Sequence, residues 1–189
     1  SVVFGPGGLE AMSRRLIEGF PDKRPSALIQ RVFDFLTAQG FRIMDPEPFL
    51  KPFFCAEGDL TQTAPSREAG DDIAFGWPIV RAIADLDIGQ TLVVKDKMIV
   101  AVEGWEGTDE AIRRGGRLAG PGTVVLKVGR TAQQLSVDLP GVGLTTVRSL
   151  IEAGASALCL EAGRVPFFQQ TEAVALAGSR GRALTARRG

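Results

Sequence analysis

The chain has 189 residues, enough for one ordinary domain or two small ones, and its hydrophobic content of 44% suits a packed core. Its 22 basic residues equal its 22 acidic residues, so the net positive field that draws proteins to nucleic acid is missing and nucleic-acid binding is not expected. Histidine is absent, which excludes Ser-His-Asp triads and His-ligated zinc within this chain and leaves carboxylates and lysine for acid–base chemistry.

The N-terminal third contains one clear helix signal. Apolar residues recur at helical spacing over residues 26–39, with Ser26 as a suitable N-cap and Gly40 where a C-cap belongs. A short strand over residues 41–44 is expected next, which makes this region part of an α/β layer.

Residues 51–72 are rich in Pro, Gly, Ser, Thr and Asp and lack apolar periodicity, so they are predicted to form a linker or an exposed loop. We place a domain boundary near residue 62. Helical spacing resumes from Ile73, but a proline deep inside a helix is costly, so that helix should begin near Pro78 or be kinked there.

The second half alternates strands and helices. Two β-branched runs, 91–94 and 98–103, predict a hairpin, and single strands are expected at 124–128 and 157–160. Short helices are expected over 109–114, from Thr145 or Thr146 to Gly154, and from Thr171 onwards. This alternation indicates a mixed α/β fold.

Residues 178–189 contain four arginines and no acid. We interpret them as a solvated, basic tail, with contact to anionic lipid headgroups as the alternative.

Two polar segments could bind an anion or a metal. Residues 101–109 end a strand in carboxylates, and the following helix start could bind an anion, although Asp109 and Glu110 in its first turn and a capping Thr108 would satisfy that helix without any ligand. Residues 127–143 combine the cations Lys127 and Arg130 with one acid, Asp138, which could ligate a divalent cation or orient water. The second segment could equally be a turn.

A third segment, residues 157–164, ends a strand in Glu161 and Gly163, which is a common place for a site in α/β proteins and also a common loop. No dinucleotide fingerprint and no P-loop occurs, which argues against nicotinamide-dependent and ATP-dependent functions. From the residues alone, the chain is an α/β protein with a phosphate-handling site as its best functional hypothesis.

The location expected by default is the cytoplasm. No apolar run approaches the ~20 residues that a membrane helix needs, and the first residues lack the pattern of a signal peptide. The two cysteines, Cys55 and Cys159, are too far apart for a zinc motif and are interpreted as buried free thiols.

Five short motifs, in this order and spacing, resemble the UDP-2,3-diacylglucosamine diphosphatases of lipid A synthesis, in the type that is unrelated to calcineurin-like enzymes. They are Asp72-Ile73 with Gly76, residues 87–90, residues 101–103 with 106–109, residues 138–140 with 142–143, and residues 161–163. The resemblance covers roughly residues 22–177.

The resemblance implies a Rossmann-like nucleotide domain followed by an α/β domain that holds the acylated sugar. Residues 1–62 would then be the remainder of the nucleotide domain, residues 63–177 the acyl-sugar and catalytic domain, and 178–189 the tail. It also implies Mg²⁺ as the cofactor and hydrolysis of UDP-2,3-diacylglucosamine to UMP and 2,3-diacylglucosamine 1-phosphate. The bound partner would be this substrate or a similar acyl sugar. A transient encounter with the inner membrane surface and self-association are further expectations.

The catalytic hypothesis places Asp138 at the reacting phosphate and reserves Glu106, Asp109 and Glu161 as further carboxylates. Asp138 and Asp109 are the expected metal ligands. The expected substrate-binding residues are Lys127, Arg130, Gln133, Gly143, Thr145, Thr108, Glu161 and Gly163.

The loop before Asp138 differs from the family pattern, in which Lys-Pro follows the lysine strand and a Gln-Asp pair and an arginine precede the aspartate. Here Arg130-Thr131, Gln133-Gln134 and Ser136 stand instead. A binding protein that has lost turnover but keeps the acyl-sugar pocket is therefore the alternative hypothesis. A purely structural role ranks below both.

Overall fold

The computed structural model describes residues 21–22, 24–131 and 140–189. That part of the chain contains six α-helices and six strands, and strands alternate with helices in its second half, as the sequence predicts. The helices are α1 (Pro25–Ala38), α2 (Glu47–Leu50), α3 (Arg67–Asp85), α4 (Thr108–Ala119), α5 (Leu144–Glu152) and α6 (Gln170–Ser179), with a 3₁₀ turn at Lys51–Phe53. The strands are β1 (Gly58–Asp59), β2 (Thr91–Lys95), β3 (Met98–Val102), β4 (Val124–Lys127), β5 (Ala157–Glu161) and β6 (Ala183–Arg187).

All six strands form one sheet in the order β1-β6-β5-β4-β2-β3. Strands β4, β5 and β6 run parallel, whereas β2 is antiparallel to β4, β3 to β2, and β1 to β6. The mixed α/β class predicted from the sequence is confirmed.

The sheet is covered on both faces. Leu92, Val94 and Leu126 face α3, whereas Val93, Val125 and Leu158 lie in the core shared with α4, α5 and α6. This alternation follows from the period of two along a strand, and the continuous apolar runs of β4 and β5 are typical of strands buried on both faces.

Helix α3 begins at Arg67, well before Pro78, because Ser66 caps it by accepting a hydrogen bond from the amide of Ala69 at 3.2 Å. Of the two predicted alternatives, a start near Pro78 is therefore wrong, whereas a kink at Pro78 stays a prediction. The predicted loop is shorter than residues 51–72. Pro78 lies inside the helix. The strand predicted over residues 41–44 is also missing, since those residues have no regular secondary structure.

The prediction of a solvated tail is wrong as well. Helix α6 continues to Ser179, and β6 lies in the interior of the sheet, paired with both β1 and β5. Leu184 is fully buried and its amide donates to Thr61 Oγ1 at 2.9 Å. Burial of Ala183, Leu184 and Ala186 thus outweighs the basic composition of this segment.

The domain boundary near residue 62 stays a prediction, as does a nucleotide-binding role for residues 1–62. Gly58 and Asp59 already belong to the sheet, because they pair with Ala186 and Thr185. The backbone of Cys55 also accepts a hydrogen bond from the Gly163 amide at 3.2 Å.

Candidate active site

Polar residues gather at one edge of the sheet, where β3, β4 and β5 end and β2 begins. Lys127 is the last residue of β4 and is paired with Thr91, the first residue of β2. Glu103 follows β3, and Glu161 ends β5 beside β4. Crevices at the carboxyl ends of parallel strands are the usual place for ligands in α/β proteins.

Lys127 is the central cation of this edge, although its residue is only 3% exposed. Its Nζ donates to Thr108 Oγ1 at 2.7 Å and to Thr91 Oγ1 at 3.1 Å, and it lies 3.5 Å from Glu103 Oε2. The Thr108 hydroxyl in turn donates to Glu103 Oε1 at 2.8 Å. A buried ammonium is thereby held by three partners and keeps its charge compensated.

Glu103 is the matching anion. Burial alone would raise its pKa, but the charge of Lys127 and hydrogen bonds from Thr91, Thr108 and the Gln90 amide hold the pKa below its ordinary value. Close packing fixes this arrangement: a Cβ on Gly89 would lie 2.0 Å from the carbonyl oxygen of Glu103, so only glycine fits there.

The second predicted cation, Arg130, is also paired, because its guanidinium lies 2.7 Å from Asp87 Oδ1. Asp87 and Glu103 line the same cavity, of about 120 Å³, together with Ala84, Ile88, Gly89, Gln90 and Gly104. Both predicted phosphate ligands are thus anchored by carboxylates that face one small cleft.

Glu161 is almost fully buried, and both of its oxygens are engaged within the protein. Oε1 accepts from Arg81 at 2.5 Å, and Oε2 accepts from the amide of Gly129 at 2.9 Å. Arg81 also donates to the carbonyl oxygen of Gly129 at 2.8 Å, and Arg164 Nε lies 3.5 Å from Glu161 Oε1.

The remaining predicted residues lie around this edge. Gly143 precedes the first residue of α5, with Thr145 exposed in that helix, and Gly163 is exposed in the turn after β5. Glu106 forms an ion pair with Arg114, which lowers the pKa of that carboxyl. The prediction that Thr108 caps α4 is wrong, because Gly107 occupies the N-cap position. The Thr108 hydroxyl accepts from Lys127 and donates to Glu103 instead.

Two predicted site residues, the metal ligand Asp138 and the substrate-binding Gln133, lie outside the described residues. The other predicted metal ligand, Asp109, is described. Asp109 Oδ1 is buried without a hydrogen-bond partner, which suits an oxygen ligand. Within residues 21–22, 24–131 and 140–189, however, no three acidic or cysteine residues are grouped as metal ligands. Magnesium dependence therefore stays a prediction.

Three residues at this edge of the sheet were not predicted from the sequence as site residues: Thr91, Glu103 and Arg81. The register Thr91 to Lys127 could have been found only by knowing that β2 pairs with β4. Glu103 carried a usable signal, because a carboxylate directly after a strand lies at the carboxyl edge of its sheet.

A larger cavity of about 450 Å³ lies at the opposite end of α4 and α5. It is lined by Arg113, Gly116, Arg117, Pro121, Glu152, Ala153 and Gly154, so charged groups border it. In the described residues, no helix combines the length and apolar composition that crossing a bilayer requires.

Comparison with known proteins identifies the family to which the chain belongs. The sequence pattern of the LpxI C-terminal domain matches residues 56–185, which include all six strands except the last residues of β6. The chain is also similar to the UDP-2,3-diacylglucosamine pyrophosphatase LpxI of Caulobacter vibrioides, with 32% identity over 167 residues. That match takes in 84% of this chain and 60% of the relative, so the chain spans about three fifths of the relative's length. The chain therefore belongs to the LpxI C-terminal domain family.

Proposed function

We propose that this protein hydrolyses the diphosphate of UDP-2,3-diacylglucosamine in lipid A biosynthesis, releasing UMP and 2,3-diacylglucosamine 1-phosphate. The Caulobacter relative is named for a pyrophosphatase activity on this compound. The observation that carries the proposal is the placement of Lys127 at the carboxyl end of β4, inside the family match. A fixed cation there can stabilise charge on a phosphate.

The cations have defined roles in this proposal. Lys127 and Arg130 neutralise charge that develops on the phosphate oxygens, and Glu103 and Asp87 hold the two cations in place. Such charges are effective because they are already oriented before the reaction begins.

Hydrolysis requires one bond to form and one to break. The oxygen of water bonds to one of the two phosphorus atoms of the diphosphate, the bond from that phosphorus to the bridging oxygen breaks, and the bridging oxygen leaves with the other phosphate. A proton from the water passes to a base, for which the sequence offers Asp138.

The test is release of UMP from UDP-2,3-diacylglucosamine by the wild-type chain and by Asp138→Asn, with and without Mg²⁺. We expect turnover to fall at least ~100-fold in the variant, as for loss of a general base or a metal ligand. Asp71→Asn is the matched control, because this exposed carboxylate on α3 contacts Lys97 beyond the opposite ends of the strands.

Equal rates in wild type and Asp138→Asn would remove Asp138 from the mechanism. No UMP release by a well-folded wild-type chain would contradict hydrolysis itself. In that case acyl sugar that copurifies with the chain would support the binding-protein alternative.

The substrate is a lipid, so the proposal includes contact with the cytoplasmic face of the membrane. Trp105 and Ile88, which are 85% and 50% exposed, lie at or beside the small cleft, and tryptophan favours membrane interfaces. Sedimentation with phospholipid vesicles tests this contact, and Trp105→Gln should weaken it.

Self-association through β3 is part of the same proposal. This strand exposes Met98 and Ile99, and among the described residues it pairs on one side only, with β2. Light scattering that gives a stable monomer would contradict this part.

A further inference from the structure

Gly129 lies in the connection that follows β4, two residues after Lys127. Both of its backbone groups are held by side chains, one from the buried Glu161 and one from the partly buried Arg81. Its amide donates to Glu161 Oε2 at 2.9 Å, and its carbonyl oxygen accepts from Arg81 at 2.8 Å. Arg81 and Glu161 are themselves joined at 2.5 Å. The three residues therefore form a closed ring that links α3, β5 and the connection after β4.

The carboxylate side of the ring is shielded from solvent, whereas the Arg81 side chain is 22% exposed. Glu161 is 3% exposed, and the backbone of Gly189 packs so closely that a Cβ there would lie 2.6 Å from Arg81 and 2.8 Å from Glu161. Hydrogen bonds to charged groups are stronger in such an environment, and a planar guanidinium can serve two acceptors at fixed angles.

The next two residues are held in the same way. Arg130 contributes its carbonyl oxygen to Arg164 at 2.8 Å, and Thr131 is bound through its amide and its hydroxyl to Asp85 at 2.7 Å and 3.0 Å. Side chains from α3 and from the turn after β5 thus fix the backbone of residues 129–131, which carries the proposed phosphate ligand Arg130.

We propose that Arg81 and Glu161 are positioning residues, which clamp Gly129 and thereby orient Arg130 towards the phosphate of the substrate. Glu161 in this role does not touch substrate, in contrast to the sequence-based hypothesis. The proposal rests on the proposed hydrolytic function for its kinetic consequence, but the clamp itself is independent of that function.

Two substitutions test the clamp. Glu161→Gln keeps the size of the side chain but cannot accept both hydrogen bonds, because one carboxylate oxygen becomes an amide donor. Arg81→Lys keeps the charge but replaces the planar fork with one nitrogen. We expect kcat to fall about 10- to 100-fold in Glu161→Gln, as for misplaced catalytic groups, with a smaller fall in Arg81→Lys.

Asp72→Asn is the matched control for stability. Asp72 is also a buried carboxylate that accepts two backbone amides, from Asp96 at 3.0 Å and Lys97 at 2.6 Å, but it lies at the hairpin turn beyond the other end of β2. We expect it to lower the melting temperature without changing the rate per folded molecule. An equal loss of rate in Asp72→Asn and Glu161→Gln would overturn the positioning role.

Amide hydrogen exchange gives a readout that does not depend on activity. Glu161→Gln should accelerate exchange in a peptide covering residues 128–131 and leave the hairpin peptide unchanged, whereas Asp72→Asn should do the reverse. If the wild-type chain releases no UMP, the hydrolytic proposal fails. Hydrogen exchange alone then tests whether Arg81 and Glu161 hold the backbone of Gly129. Unchanged exchange at residues 128–131 in Glu161→Gln would overturn it.

Discussion

Replacing Lys127 with methionine should destabilise the fold in a way that depends on pH. The substitution fills a similar volume but leaves Glu103 in a buried position without its cation, 3.5 Å from where Nζ stood. Removing one partner of a buried pair costs about 3–5 kcal/mol. For a chain of this size this corresponds to a drop in melting temperature of about 6–20 °C near neutral pH.

The pH dependence follows from the pKa of Glu103, which lies below its ordinary value in the folded protein. A depressed carboxyl pKa stabilises the fold above the unfolded pKa of about 4.5, and this contribution is lost as the pH falls through the lower folded value. In Lys127→Met the folded pKa rises, because burial is no longer opposed by the lysine charge. The difference between variant and wild type should therefore shrink as Glu103 becomes protonated.

Circular dichroism melts at about pH 7 and about pH 4 measure this difference. The double variant Lys127→Met/Glu103→Met should be more stable than Lys127→Met, because no buried charge is left without a partner. A loss of the same size at both pH values, or a double variant less stable than the single one, would refute the electrostatic reasoning.

Two further predictions concern packing and the thiols. Gly115→Ala should lower the free energy of unfolding by about 1–3 kcal/mol through overpacking, because the added Cβ would lie 2.7 Å from Val93. Gly178→Ala is the control: its Cβ would meet nothing within 4 Å, so thermal melts should show no change or a gain in stability. Burial raises the pKa of the Cys55 thiol and raises that of Cys159 to about 12, so a thiol reagent should label neither cysteine in native protein and both in denaturant. Rapid labelling of native Cys159 would contradict the buried position of β5.

The parts of the fold that were predictable are those with strong local patterns. The β-branched hairpin, β4, β5 and the apolar stripe of α1 all follow from residue spacing alone. Strand β6 was missed because its five residues, Ala183–Arg187, include two alanines and an arginine, so the burial that holds them comes from β1 and β5. The start of α3 was missed because Gly70 and two aspartates hide its apolar spacing.

Site residues could be predicted from the sequence only where the residue type itself, such as a charged side chain, indicates a function. Lys127 and Arg130 could be named from the sequence because both are cations beside a strand end. Arg81 could not, because its partners Gly129 and Glu161 are far from it in sequence and no local pattern connects them. Contacts of this kind depend on strand order, which one sequence does not reveal.

The place of β6 between β1 and β5 has a consequence for synthesis on the ribosome. Residues are added at about 5–20 per second, and domains fold as units once their parts have emerged. Until residues 183–187 emerge, β5 has an open edge and Gly58 and Asp59 have no strand to join. Nascent chains that end before residue 183 should therefore be cut readily in limited proteolysis, and a ribosome that pauses there would expose an edge that other chains can join.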